Sequence, residues 1–307
     1  MRRVAVLCGG VGAARFLSGL VGVVDPSGVT AIVNVADDDD FHGLHVSPDL
    51  DTVLYTLAGV VDEAQGWGRK DETYHAQDEL ARFGEDAWFR LGDRDLAAHI
   101  HRTRLLRAGA SLTDVVDGMR TALRIGARIL PATDAAQRTM VRTPGGWIAF
   151  QEYFVKRRTA DPVRELRFEP DAAPSPAVRA AIGEADVIVI APSNPFVSIG
   201  PILALAGVRD ALRAARAKVV AVSPIVGGAA IKGPAAAMLA SLGHEVSALG
   251  VARIYADVAS SFVIDEADRT LEPAIEQLGL RVTVAPTIMR DAASRAALAR
   301  AVIAAVR

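Results

Sequence analysis

The stretch VAVLCGGVGAARFLSGL, residues 4–20, decides how this chain folds. Five apolar residues, Val4 to Cys8, run without a polar interruption and stop at two glycines, the pattern of a strand buried on both faces of a parallel sheet. From residue 13 to 21 the apolar residues return at helical spacing. Strand, glycine turn and helix make the first half of a βαβ unit. VTAIVNV (29–35) is a second strand of the same kind. DVIVIA (186–191) and KVVAVS (218–223) are two more, separated by a helical stretch at 201–217; RVTVAP (281–286) and an Ala-rich helix at 292–306 close the chain. Strands alternating with helices predict an α/β fold, a Rossmann-like doubly wound and mostly parallel sheet.

Between residues 62 and 176 the pattern changes to charged amphipathic helices (93–107 and 112–125) and an antiparallel pair (137–142 and 147–155) joined by TPGG. We read this as a mainly helical insertion or cap at 62–176 within a single Rossmann-like catalytic domain spanning 1–307. EPDAAPSPA (169–177) marks the return to the core.

The composition excludes several function classes. The 307 residues are 51% apolar and 23% charged, with 34 basic against 36 acidic side chains and a formal charge of -2, which leaves no electrostatic footprint for nucleic acid or an anionic membrane. Cys8 is the only cysteine, so there is no disulfide framework and no CxxC metal site; a reducing, cytoplasmic setting is expected. No apolar run approaches the ~20 residues needed to span a bilayer.

In an open parallel sheet, ligands bind beyond the carboxyl ends of the strands, and the chemically unusual segments fall there. After the first strand, Gly9, Gly10 and Gly12 permit backbone amides to approach an oxyanion at a helix N-terminus, with Arg15 close behind. No GxxxxGK[ST] is present, and Arg15 stands where a dinucleotide fingerprint needs its third glycine. After the second strand, Asn34 opens NVADDDDFHGLHVSPDLDT (34–52), with six aspartates and two histidines. Asp37, Asp38, Asp49 and Asp51 could converge on one hard cation, since Mg²⁺ takes one or two carboxylates and completes its shell with water and phosphate oxygens. The alternative is a solvated loop with Asp49 or Asp51 as a helix cap, which suits Asp39 and Asp40 better than a metal does. His42 and His45 could join either.

APSNPFVSIGPIL (191–203) offers Ser193, Asn194 and Ser198 to the edge of a base or sugar, or Ser198 as a helix cap. SPIVGGAAIKGPAAAML (223–239) sets Lys232 among Gly227, Gly228 and Gly233, either a phosphate contact or a surface lysine. In the insertion, LGDRDLAAHIHRTRLLRAG (91–109) presents Asp93 as an N-cap with Arg94 beside it; His99, Arg102 and Arg104 read as a solvated helix face.

Together these segments resemble the 2-phospho-L-lactate transferase family of coenzyme F420 biosynthesis. The likeness runs through GGVGAARFLSGL, NVADD with HGLHVSPDLDT, GWGRKDET, WFRLGDRDLAAHI, LPATD, QEYFVKRR, APSNPFVSIGPIL and SPIVGGAAIKG, nearly the whole chain. Ala13 and Ala14 stand where members often have another glycine, and Ala36 replaces a glycine before the aspartate pair. The resemblance implies a Rossmann-like fold, a Mg²⁺-dependent reaction and a homodimer. It implies transfer of a phospholactyl or phosphoenolpyruvyl group from its guanosine diphosphate ester to the deazaflavin FO, with release of GMP. On that footing the aspartate stretch is the metal site, with Asp37 and Asp51 its leading ligands and catalytic candidates. Asp93 and Arg94 are then expected to meet FO, beside Trp67, Trp88, Phe89, Trp147, Phe150, Tyr153 and Phe154, which otherwise form the insertion's own core. Two rivals share the fold: a nicotinamide-dependent dehydrogenase, which wants an acidic residue where Asn34 stands, and a nucleotide-sugar-binding regulator, whose DDGGSSG is absent.

Overall fold

The computed structural model describes residues 2–231 and 233–306, so Lys232 lies outside the described residues. Seven parallel strands form the central sheet: β1 (Val4–Cys8), β2 (Val29–Val33), β3 (Arg128–Pro131), β4 (Val187–Ile190), β5 (Val219–Val222), β6 (Ser261–Ile264) and β7 (Arg281–Val284). Their order across the sheet is β7-β6-β5-β4-β1-β2-β3. The expected doubly wound α/β architecture is therefore present, and the direction of winding reverses between β1 and β4.

Alternation along β1 shows why an uninterrupted apolar run was needed. Val4, Val6 and Cys8 enter one core, Ala5 and Leu7 the other, so a polar residue at any of the five positions would be buried. The first core is closed by α1 (Gly10–Leu20), α2 (Pro48–Leu57), α5 (Leu112–Ala122) and the C-terminal helix Ala292–Ala304. The helices Pro176–Glu184, Val208–Ala214 and Ala248–Tyr255 close the second. A Cβ added at Gly19 would lie 2.4 Å from the Arg295 backbone, so α1 and the C-terminal helix meet nearly main chain to main chain. No helix among the described residues is long and apolar enough to cross a membrane.

The insertion contains α3 (His75–Arg82), α4 (Asp93–Arg107) and a three-stranded antiparallel sheet. That sheet is centred on Arg138–Thr143, flanked by Gly146–Ala149 and Glu165–Glu169. Val141, Phe150, Tyr153 and Val163 pack there with Val197 and Met238, so the sheet backs the loop that follows β4.

Several expectations need correction. The stretch 62–176 is not wholly an insertion, because β3 lies inside it and pairs with β2, while Val115 and Val116 of α5 belong to the main core. β6 was not foreseen; SFVI is only four residues long and carries too little pattern. The expected helix at 201–217 is broken into Gly200–Ala204 and Val208–Ala214 at Gly207, whose φ of 80° is left-handed. The strand at 147–155 stops at Ala149 and gives way to a π-helical turn, Glu152–Lys156. Asp93 is the first residue inside α4 and Gly92 is its cap.

Candidate functional site

The loops after β1, β2 and β4 meet where the winding reverses, with Gly9 at the centre. A Cβ on Gly9 would lie 2.5 Å from Asp49 Oδ2, 3.0 Å from Ser198 Cβ and 3.2 Å from Asn34 Cβ, so four chain segments converge on a spot where no side chain fits. Gly12 allows a second close approach, its absent Cβ falling 2.6 Å from the Pro192 carbonyl oxygen. Ser193 Oγ donates to the Gly9 carbonyl at 2.9 Å. The Gly10 amide donates to Asp49 Oδ1 at 2.8 Å. Asn34 Nδ2 donates to Asp49 Oδ2 at 3.0 Å and to the Val197 carbonyl at 3.2 Å, while its Oδ1 accepts from the Ala36 amide at 3.0 Å. Asn34 is thus fully used as a fastener of three loops, which an acidic residue there could not be.

Asp37, Asp38 and Asp49 are all buried beside this point. Burial pushes the Asp37 carboxyl well above its ordinary range, the negative charges of Asp49 and then Asp38 push it further, and Thr139 and Asn34 only partly offset them. Asp49 is raised to about 6 by burial, against the Asn34 and Gly10 hydrogen bonds that favour its charge. Asp38 is raised by burial despite Ser47 Oγ, which donates to its Oδ2 at 2.7 Å, and His45 Nε2 at 3.1 Å. Asp37 Oδ1 and Asp38 Oδ1 are buried without a hydrogen-bond partner among the described residues. Gln151 Nε2 donates to the Asp37 carbonyl at 2.8 Å, and Arg138 donates to the Asp38 carbonyl, so the antiparallel sheet grips the acidic loop from outside.

Asp51, three positions along the same helical turn as Pro48, looks the other way. Both its carboxylate oxygens accept from Arg102 of α4, and the guanidinium is completely buried. His99 Nδ1 lies 3.7 Å from Asp51 Oδ2, and burial lowers His99 to about 4, keeping the ring neutral. The structure therefore joins Asp37, Asp38 and Asp49 and ties Asp51 to the insertion. Helix spacing puts His99 and Arg102 on one face of α4. Nothing local distinguishes that face from the solvated one, so sequence reasoning assigned Arg102 to the surface.

The remaining candidates fall into three sets. Asp93 is a junction of the insertion: it accepts from Thr73 Oγ1 at 2.6 Å and from the His75 and Ala76 amides at 3.0 Å, while Arg94 donates to the Lys70 carbonyl at 3.0 Å. Asn194 turns the loop after β4, its Oδ1 accepting from the Phe196 amide at 2.9 Å; Ser198 lies buried against Gly9; and Arg15 donates to the Glu63 carbonyl at 3.5 Å. Gly227 and Gly228, both left-handed, form the turn of a hairpin (Ile225–Val226 with Ala229–Ala230) anchored by Asp268, whose two oxygens accept the Gly227 amide at 3.1 Å. Gly228 lines a cleft of about 600 Å³ with Phe154, Arg158 and Gly233. A cleft of about 470 Å³ near Gly183 and Lys218, at the opposite end of the sheet, holds none of these residues.

Asp39 and Asp40 are neither metal-facing nor merely solvated. With Phe41 they form a hairpin against Leu44–Val46, turned at His42 and Gly43, and both pair with Arg138. Phe41 of that hairpin stacks on Phe89 with ring centroids 3.9 Å apart and meets Trp88 edge-on at 5.4 Å. Phe150 stacks on Phe154 at 5.4 Å.

Comparison with known proteins identifies the family. Residues 4–300 match the family described as 2-phospho-L-lactate transferase CofD. A phosphoenolpyruvate transferase of Streptomyces griseus is 44% identical over 308 residues, covering 97% of this chain and 96% of the relative. A phosphoenolpyruvate transferase of Mycobacterium avium is 41% identical over 327 residues, covering 97% of each. In fold, the chain resembles the crystal structure of a UPF0052 family member from Bacillus halodurans, with a TM-score of 0.64, 17% identity, and coverage of 99% of this chain and 100% of that one. A match that spans both the glycine turn and the acidic loop, with relatives sharing more than two fifths of their residues, places this chain among the transferases of the 2-phospho-L-lactate transferase CofD family.

Proposed function

We propose that this transferase moves a phosphoenolpyruvyl group from its guanosine diphosphate ester to the deazaflavin FO, releasing GMP and forming a dehydro form of coenzyme F420-0. The observation that carries the reading is the buried cluster of Asp37, Asp38 and Asp49 at the glycine turn, in which one oxygen each of Asp37 and Asp38 has no partner among the described residues. Relatives at 41–44% identity are phosphoenolpyruvate transferases, which favours the enolpyruvyl donor over the lactyl one.

A divalent cation suits this cluster. Two buried carboxylate oxygens without partners and three carboxyls displaced upward describe a site where negative charge is under-compensated. Among the described residues no three His, Cys, Asp or Glu side chains converge as a metal cage. Mg²⁺ needs no such cage, since it accepts one or two carboxylates and takes substrate phosphate and water for the rest. Asp37 and Asp38, each with an oxygen left over, would hold it, with Asp49, whose oxygens accept from Gly10 and Asn34, alongside; Asp51, spent on Arg102, leaves the ligand set. Bound there, Mg²⁺ would offset the charge of the donor diphosphate.

The reaction asks for positioning more than for covalent help. The terminal ribityl hydroxyl of FO forms a bond to the distal phosphorus; the bridging P–O bond breaks, GMP leaves with the electron pair, and the hydroxyl proton is lost to water. With the Gly10 and Gly227 amides spent on Asp49 and Asp268, donors for the diphosphate would come from the neighbouring amides of the glycine turn and the hairpin. The aromatic groups around Trp88 and Phe154 offer surface for the planar acceptor. The resemblance and the single cysteine support a cytoplasmic homodimer.

Mass spectrometry of the product from FO and each guanosine donor tests the reading. The enolpyruvyl donor should give the dominant FO adduct; an adduct from the lactyl donor alone would reverse the donor assignment, and no adduct from either would reject the reaction.

A further inference from the structure

Helix α4 touches both flanks of the acidic loop. On the near flank, Arg102 Nη1 donates to the His45 carbonyl at 3.3 Å and Thr103 Oγ1 accepts the His45 amide at 2.8 Å, so two successive residues of α4 clamp one peptide unit on each side of His45. The His45 ring in turn lies 3.1 Å from Asp38 Oδ2. On the far flank, Arg102 holds both oxygens of Asp51, two residues from Asp49 in the first turn of α2. A guanidinium with no exposed surface is costly to bury and is retained here by a two-pronged pair that a single ammonium could not reproduce.

We infer that Arg102 is a positioning residue for the cation site: through Asp51 and His45 it sets the spacing of Asp38 and Asp49, and the insertion helix and the bound cation stabilise one another. The inference rests on the cation reading above. Residues that orient metal-binding side chains typically change metal affinity by about 10–100-fold when altered. Coupling of this kind is reciprocal, so filling the site must also steady α4.

Mn²⁺ titration followed by electron paramagnetic resonance, in which the free ion gives the sharp signal, tests this on the folded wild type, Arg102→Lys and Thr103→Val. Arg102→Lys keeps the charge and loses the fork, and should bind Mn²⁺ about tenfold or more weakly; Thr103→Val should lose less. In the wild type, saturating Mn²⁺ should slow hydrogen exchange across residues 96–107. A folded Arg102→Lys with unchanged Mn²⁺ affinity would overturn the inference. If that variant does not fold, wild-type α4 exchange unmoved by bound Mn²⁺ would overturn it equally. A wild type that binds no Mn²⁺ would reject the cation reading and this inference with it.

Discussion

The amide of Gly10 donates to the carboxylate of Asp49 across 2.8 Å, joining the turn after β1 to the first turn of α2. The N-terminal end of α1 thus faces a negative charge, which its dipole favours. Burial works against that charge and leaves the carboxyl near 6. Side chains with opposite duties therefore sit within two residues of each other: Asp49 in an under-compensated cluster, and Asp51 in a closed ion pair.

Asp37→Asn and Asp51→Asn should consequently separate in urea denaturation. Asp37→Asn removes a carboxyl that burial and Asp49 penalise, so the folded protein should hold or gain stability. Asp51→Asn leaves Arg102 buried without its counter-charge and should cost about 3–5 kcal/mol. Equal losses in the two variants would contradict this division.

Two glycine substitutions should move stability in opposite directions. Gly12→Ala places a Cβ 2.6 Å from the Pro192 carbonyl oxygen, part of the main chain. Overpacking of that kind costs about 1–3 kcal/mol. Gly118→Ala, in α5 with nothing within 4 Å of the new Cβ, should stabilise the helix. Its gain should be up to about 1 kcal/mol. A stable Gly12→Ala would mean that α1 and the loop after β4 are not held in contact.

Asp95 predicts a pH dependence. Burial first, and the charge of Asp51 second, raise its carboxyl to about 7 in the folded chain from an ordinary 3.8. Between those values the folded state keeps a proton that the unfolded chain has released, so this group's stabilisation is present at low pH and lost as pH rises to about 7. Asp95→Asn should match wild type near pH 4 and gain on it up to about pH 7, by on the order of 4 kcal/mol at most. Thermal melts of the two proteins across that range would show a widening gap; a constant gap would contradict the assignment.

Asp93 and Arg94 tie the start of α4 to residues 70–76. Alanine at both positions should loosen that face of the insertion. The apparent KM for FO should rise or kcat fall, while GDP affinity by calorimetry stays near wild type. Collapse of GDP binding with normal FO dependence would assign the insertion to the nucleotide.

The strands that carry the site were legible because β1, β4 and β5 are apolar runs buried on both faces and β2 departs from that only at the half-buried Thr30. β6 escaped because SFVI, at four residues, is too short to show a pattern. The acidic stretch announced itself by its charge density, yet which of its aspartates work together depends on contacts distant in sequence. Asp51 is taken by Arg102, 51 residues on, and Asp39 by Arg138, 99 residues on. A basic residue on a charged helix reads as solvent-facing until the surface that covers it is known, which is why Arg102 was missed.

GMP release from the enolpyruvyl donor and FO, followed against Mg²⁺ concentration, tests the central claim most directly when run on wild type, Asp37→Asn and Asp49→Asn. The wild type should release one GMP per FO adduct and stop when Mg²⁺ is chelated. Both variants, folded, should fall about a hundredfold or more at saturating Mg²⁺. Near-wild-type release by both would show that the buried carboxylates at the glycine turn are not the centre of the reaction.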